Sequence, residues 1–186
     1  LQNNTTGASN VAVGFEALNA NTTGTRNIAI GQNAYNSSDT ENDNLAIGHD
    51  AMTTNGAGAE KNVAIGNYVM DAAITGDGNI GVGYNALSAN LGGYQNTAVG
   101  LQAMLANTTG HNNSAYGTEA LDANTTGVKN TAIGKSALGG NTTADGNTAV
   151  GFEALYANTT GTRNLAIGYQ AYDASDTEND NLAIGY

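Results

Sequence analysis

One pentad, Asn-x-Ala-Ile/Val-Gly, recurs through the chain and leaves little freedom in the choice of fold. Its glycines stand at Gly14, Gly31, Gly48, Gly66, Gly83, Gly100, Gly117, Gly134, Gly151, Gly168 and Gly185, seventeen residues apart except for the eighteen between Gly48 and Gly66. Four residues before each glycine stands an asparagine: Asn10, Asn27, Asn44, Asn62, Asn79, Asn96, Asn113, Asn130, Asn147, Asn164 and Asn181. The residue before the glycine is Val or Ile except at Tyr116, and the one before that is Ala except at Gly81. A unit this short buries too little surface to offset the entropy of ordering it, so the units must stack and share a core.

Large, small, large over three residues, as in Ile28-Ala29-Ile30, predicts a strand with two unlike faces. After the glycine a second segment carries Ala then Leu, Met or Tyr, as in Ala17-Leu18 and Ala103-Met104. The expected unit is therefore two short strands and a polar return loop. The expected fold is all-β: a parallel β-solenoid or β-roll of about eleven 17-residue coils, roughly 50 Å long at the spacing of neighbouring strands. In that arrangement inward Val/Ile and Leu/Met form an aliphatic column, each side chain contributing about 1.5 to 3 kcal/mol when buried. The invariant asparagines are expected to form a ladder, each amide donating to one copy of itself and accepting from the other. Asp has no donor and would pile up like charges. The glycine suits a bend, and the Ala before it leaves room for a neighbouring surface.

A larger repetition overlies the small one. Gly14 to Leu18 and Thr22 to Asn27 return at Gly151 to Leu155 and Thr159 to Asn164, and Ser38-Asp39-Thr40-Glu41-Asn42-Asp43 returns at Ser175-Asp176-Thr177-Glu178-Asn179-Asp180, an offset of 137 residues. This reads as a duplicated eight-coil block in a single array spanning 1–186, a segment of a longer fibre. Many return loops read Ala-Asn-Thr-Thr-Gly, whereas 53–59 holds the extra residue and 91–94 carries Gly-Gly-Tyr. Variable loops on a fixed scaffold are where recognition usually sits.

The net charge of −11, with Arg26, Lys61, Lys129, Lys135 and Arg163 scattered over different coils, argues against nucleic acid and against electrostatic membrane binding. No apolar run approaches a membrane span. Without cysteine there is no disulfide staple or cysteine-based zinc site.

Motifs that suggest chemistry do not fit their required contexts. Gly81-Val82-Gly83-Tyr84-Asn85-Ala86 matches a dinucleotide fingerprint, but both glycines occupy ordinary repeat positions. Gly134-Lys135-Ser136 lacks the first glycine of a phosphate loop, since position 129 is lysine. Asp39, Glu41 and Asp43 alternate like calcium ligands, although Asn44 stands where an EF-hand needs glycine. The competing reading is a solvated acidic turn. His49 and His111 have no partner at a matching spacing. No catalytic, cofactor or metal residue is assigned. Asn21-Thr22-Thr23 and Asn124-Thr125-Thr126 are glycosylation sequons. Thr108, Thr125, Thr142 and Thr159 recur in successive coils and raise an ice-binding alternative, interrupted elsewhere by Ser38, Ala57 and Gly92.

The run Asn147 to Leu155 followed by Ala157 to Gly161 resembles the repeats of phage tail-fibre-like and bacterial surface proteins that often end in a self-cleaving intramolecular chaperone. More loosely, it is similar to the Val-Ala-Ile-Gly repeats of trimeric autotransporter adhesin heads, whose shorter units form left-handed parallel β-rolls packed as homotrimers. The resemblance implies a left-handed, homotrimeric, extracellular fibre on a cell or virion. The column of Ala12, Ala29, Ala46, Ala64, Ala98 and Ala132 offers a smooth apolar stripe that packs internally or against such a partner. The expected function is structural and adhesive, presenting repeated loops to a host receptor or glycan, without enzymatic activity. Alternatives are an ice-binding solenoid and a carbohydrate-active solenoid enzyme.

Overall fold

A computed structural model describes all residues of the chain except Ser38, Asn55, Ala57 and Ser175. Among the described residues, eleven three-residue strands make up the regular secondary structure: β1 (Val11–Val13), β2 (Ile28–Ile30), β3 (Leu45–Ile47), β4 (Val63–Ile65), β5 (Ile80–Val82), β6 (Thr97–Val99), β7 (Ser114–Tyr116), β8 (Thr131–Ile133), β9 (Thr148–Val150), β10 (Leu165–Ile167) and β11 (Leu182–Ile184). They form one parallel sheet in sequence order, the signature of a β-solenoid, here of about 10 turns.

Equivalent residues pair throughout. Val11 lies beside Ile28, Ala12 beside Ala29 and Val13 beside Ile30. The eighteen-residue interval does not disturb this order, because Leu45 still pairs with Val63 and Ile47 with Ile65. The extra residue is therefore absorbed in the return loop. Its centre, Asn55 and Ala57, lies outside the described residues, as do Ser38 and Ala57 of the interrupted threonine row.

Each strand is short because its ends are fixed. The preceding asparagine is locked in the interior, and the following glycine turns the chain at φ between +131° and +146°. The predicted second strand is not a strand. After each glycine the backbone enters the left-handed region at alternate residues, as at Glu16 (φ 55°) and Leu18 (φ 51°). Coil-to-coil hydrogen bonds nevertheless continue: Leu18 N–H donates to Ala34 O at 3.0 Å, and Asn33 N–H to Phe15 O at 2.9 Å. Left-handed backbone costs an L-residue about 1 to 2 kcal/mol. Burial of the Leu, Met or Tyr at the same place offsets it.

The core is narrower than the sequence pattern suggests. The middle residue of each strand points inward; from Ala29 to Ala166 it is fully buried, while Ala12 and Ala183 in the end strands are partly buried. It meets the Ala row after the glycine and the single large column of Leu18, Tyr35, Met52, Met70, Leu87, Met104, Leu121, Leu138 and Leu155. The flanking Val and Ile, expected inside, point outward instead: Val13 is 56% and Ile133 is 43% exposed. Alternation permits only one strand face inside, and the narrow interior admits the small residue there. By the same token the Ala column packs internally and is not a partner-facing stripe.

One coil shows how tightly this volume is conserved. In β5 the usual Ala is Gly81, and a Cβ there would approach Val69 Cγ1 at 2.7 Å and Met70 Cε at 2.9 Å. Val69 occupies the row that is otherwise alanine, as at Ala17, Ala34, Ala51 and Ala86. The methyl group missing at 81 makes room for the two that valine adds at 69. Gly81→Ala is expected to cost about 1 to 3 kcal/mol by overpacking. Combined with Val69→Ala it should cost less than the sum of the single changes. Denaturant titration of the four proteins in a double-mutant cycle measures this, and additive costs would refute the compensation.

Candidate interaction surface

The predicted asparagine ladder exists, with different bonds from those expected. From Asn10 to Asn164, each side-chain Oδ1 accepts the backbone N–H of the next ladder asparagine at 2.8 to 3.1 Å. Each Nδ2 donates to the carbonyl three residues before that next asparagine, from Gly24 to Glu178, at 2.7 to 3.1 Å. The amide thus holds the loop of one turn to the strand start of the next. Direct amide-to-amide bonds within this row occur from Asn96 to Asn79 and from Asn181 to Asn164. The nine inner members are buried, while Asn10 and Asn181 at the ends are half-buried.

A second asparagine row, not anticipated from the sequence, forms the amide-to-amide ladder instead. Asn21 donates to Asn4, Asn107 to Asn90, Asn124 to Asn107, Asn141 to Asn124 and Asn158 to Asn141, at 2.8 to 3.2 Å. Asn21 and Asn124, the sequon asparagines, are fully buried in this row. The folded chain does not offer their amides for glycosylation. The signal was in the sequence, since these asparagines also recur at seventeen, but the loop composition suggested a turn.

The acidic loop does not converge on a cation. Asp43 pairs with Arg26, Nε to Oδ1 at 2.5 Å and Nη2 to Oδ2 at 2.8 Å, and that hydrogen bond holds its carboxyl below the usual range. Asp39 accepts the Thr22 hydroxyl. Glu41 turns inward and is 5% exposed. Its Oε2 accepts the Asp39 and Thr40 N–H groups, and its Oε1 accepts Gly58 N–H at 3.1 Å. Burial pushes Glu41 up, but these backbone donors outweigh it and leave the carboxyl below its ordinary value. Among the described residues no group of three His, Cys, Asp or Glu is arranged to hold a metal ion.

Two carboxylates share one hollow, lined by Asn33, Asp50, Thr53, Thr54, Tyr68 and Asp71. Burial, with a smaller contribution from Asp50, raises Asp71. Asp50 accepts from Asn33 Nδ2 at 2.9 Å, and its other carboxylate oxygen lies 3.0 Å from His49 Nδ1. His49 also packs against Tyr68, while His111 stacks on Tyr94 with ring centroids 4.4 Å apart.

The largest organised feature is the outward face of the sheet. One row runs Val11, Ile28, Leu45, Val63, Ile80, Thr97, Ser114, Thr131, Thr148, Leu165, Leu182. The other runs Val13, Ile30, Ile47, Ile65, Val82, Val99, Tyr116, Ile133, Val150, Ile167, Ile184. Neither row contains a charged residue, in a chain carrying sixteen acidic and five basic side chains. A third row beyond the glycines adds aromatics, with Phe152 and Tyr169 stacked at 5.1 Å and Tyr169 and Tyr186 at 5.6 Å. Ala is nearly invariant because it is confined, whereas its neighbours range over Val, Ile, Leu, Thr, Ser and Tyr.

No protein-family model matches the chain, and neither curated proteins nor solved structures give a significant match.

Proposed function

We propose that this chain is a structural and adhesive fibre segment, wound left-handed and assembled as a homotrimer through the outward strand face, which presents its return loops for multivalent attachment outside a cell or virion. The observation that supports the reading most is the uncharged, mostly apolar strip running the length of the rod. At the usual strand spacing it covers roughly 500 to 600 Å² per chain. That is large for the apolar patch of a lone soluble protein. It is also less than the about 800 Å² per partner of a standard interface, so burying the flanking Phe15, Tyr84, Leu101 and Tyr169 row in a three-fold arrangement serves better than a two-copy contact. A second copy is the fitting occupant: it has the same axial period, and this strip is where two chains of charge −11 can meet without like charges facing. Repetition and assembly then multiply weak loop contacts to a receptor or glycan.

The test is sedimentation of the isolated chain. A trimer mass is expected, and Ile30→Glu with Ile133→Glu should reduce it to a monomer of unchanged far-UV circular dichroism. A wild-type monomer would overturn the assembly. One observation favours a second reading: Thr97, Ser114, Thr131 and Thr148 form a regular hydroxyl row on the same flat face. Thermal hysteresis by the monomeric chain would support water ordering as its function.

A further inference from the structure

In ordinary coils the return loop closes on the next turn through consecutive backbone N–H groups. Those of Thr108, Thr109 and Gly110 converge on Thr125 O at 2.9, 3.1 and 3.2 Å, and those of Thr22, Thr23 and Gly24 on Asp39 O at 2.9, 3.2 and 3.4 Å. The equivalent loop of the third coil, Asp39-Thr40-Glu41, faces the turn that carries the extra residue. There the Asp39 and Thr40 N–H groups donate to the Glu41 carboxylate at 3.0 and 3.1 Å, and its other oxygen reaches across to Gly58 N–H. A side-chain carboxylate stands where the neighbouring turn supplies a carbonyl elsewhere. In the duplicated block Glu178 likewise accepts Thr177 N–H at 3.1 Å.

We infer that Glu41 is a latch bridging the one irregular step of the rod, and that its protonation releases Gly58 while the regular turns on either side stay closed. A neutral carboxyl is a weaker acceptor, and its new O–H would point into a site furnished with donors. The charged groups on the surrounding turns are Arg26 from the second coil, Asp39 and Asp43 on its own, and Glu60 and Lys61 from the fourth. Arg26 is already tied to Asp43, and Glu60 accepts from Asn42 Nδ2 at 2.8 Å. Because the folded carboxyl titrates below its ordinary value, the latch contributes stability above that ordinary value. It loses this contribution as pH falls through the lower, folded value.

Hydrogen exchange of the full chain, corrected for intrinsic rates, tests this. The Gly58 amide should lose about tenfold to a hundredfold protection between pH 6 and pH 2, while the Asn113 and Asn130 amides keep theirs. In Glu41→Gln the Gly58 amide should already be unprotected at pH 6 and show no further acid step. Glu178→Gln should leave Gly58 unchanged. Equal loss across all coils in acid, or an unchanged Gly58 amide in Glu41→Gln, would overturn the latch.

Discussion

Asn113→Asp is expected to cost about 3 to 5 kcal/mol of unfolding free energy at neutral pH and to recover part of that loss in acid. Asn113 makes three bonds in the interior of the rod. Its N–H donates to Asn96 Oδ1 at 3.0 Å, its Oδ1 accepts Asn130 N–H at 2.9 Å, and its Nδ2 donates to Gly127 O at 2.8 Å. A carboxylate keeps the shape and the acceptor but replaces the donor with a second oxygen facing a carbonyl. The buried Gly127 O loses its partner, and a carboxylate charge is placed in the buried interior. Protonation restores a donor, so the variant's carboxyl should titrate above its unfolded value of about 3.9. With the folded value raised, the deficit grows from the unfolded value upward and levels off above the folded one. Denaturant unfolding at pH 4 and pH 7 measures both terms. Asn113→Ala should be as damaging at either pH, because Asn130 N–H and Gly127 O both lose a bond. A loss below about 1 kcal/mol in either variant would show that the ladder is ornamental. Placed mid-array, the defect weakens one interface between turns and should divide the rod into two cooperative stacks.

Gly117→Ala is the second large effect, at about 3 to 5 kcal/mol, because conformation and space both fail. Gly117 has φ of 140°, and a Cβ there would lie closer than 3.0 Å to the carbonyl oxygen of Gly134 in the next turn. Neither chain can yield cheaply: Gly117 N–H is bonded to Val99 O and Gly134 N–H to Tyr116 O, both at 2.8 Å. Gly146 provides the contrast. It has φ of 69°, and its nearest contact would be Arg163 Cγ at 3.7 Å. Arg26, Lys61 and Arg163 hold the same place in other coils at φ of 58° to 60°. Gly146→Asn should therefore change stability by less than about 0.5 kcal/mol. Thermal unfolding of the two variants side by side separates a glycine required by close approach from one that is merely permitted. Equal shifts would refute the distinction.

The sequence by itself determined the stacking. Asn27, Ala29, Ile30 and Gly31 recur at one interval, and a solenoid that places like on like is the arrangement in which such short units share a core. It also located the irregular step, since the extra residue between Gly48 and Gly66 falls in a loop that differs from the rest. What it left open was direction. Alternation says that Ile28 and Ile30 face away from Ala29, but not which face is inside; the narrow cross-section, one Leu-sized column wide, decided for alanine and turned the isoleucines outward. The bonds of the asparagines were likewise settled only in three dimensions. A repeated amide can stack on itself or clip the backbone, and the closeness of Asn130 N–H and Gly127 O to Asn113 selected the clip, leaving self-stacking to the Asn90 to Asn158 row. Glu41 shows the same limit at the loop. Its spacing with Asp39 and Asp43 suggested a cation or a solvated turn, and the donors that claim it belong to Asp39, Thr40 and Gly58, the last brought near only by the following turn. Periodicity fixes which residues are neighbours, whereas the enclosed width and the direction of each backbone N–H fix what those neighbours do.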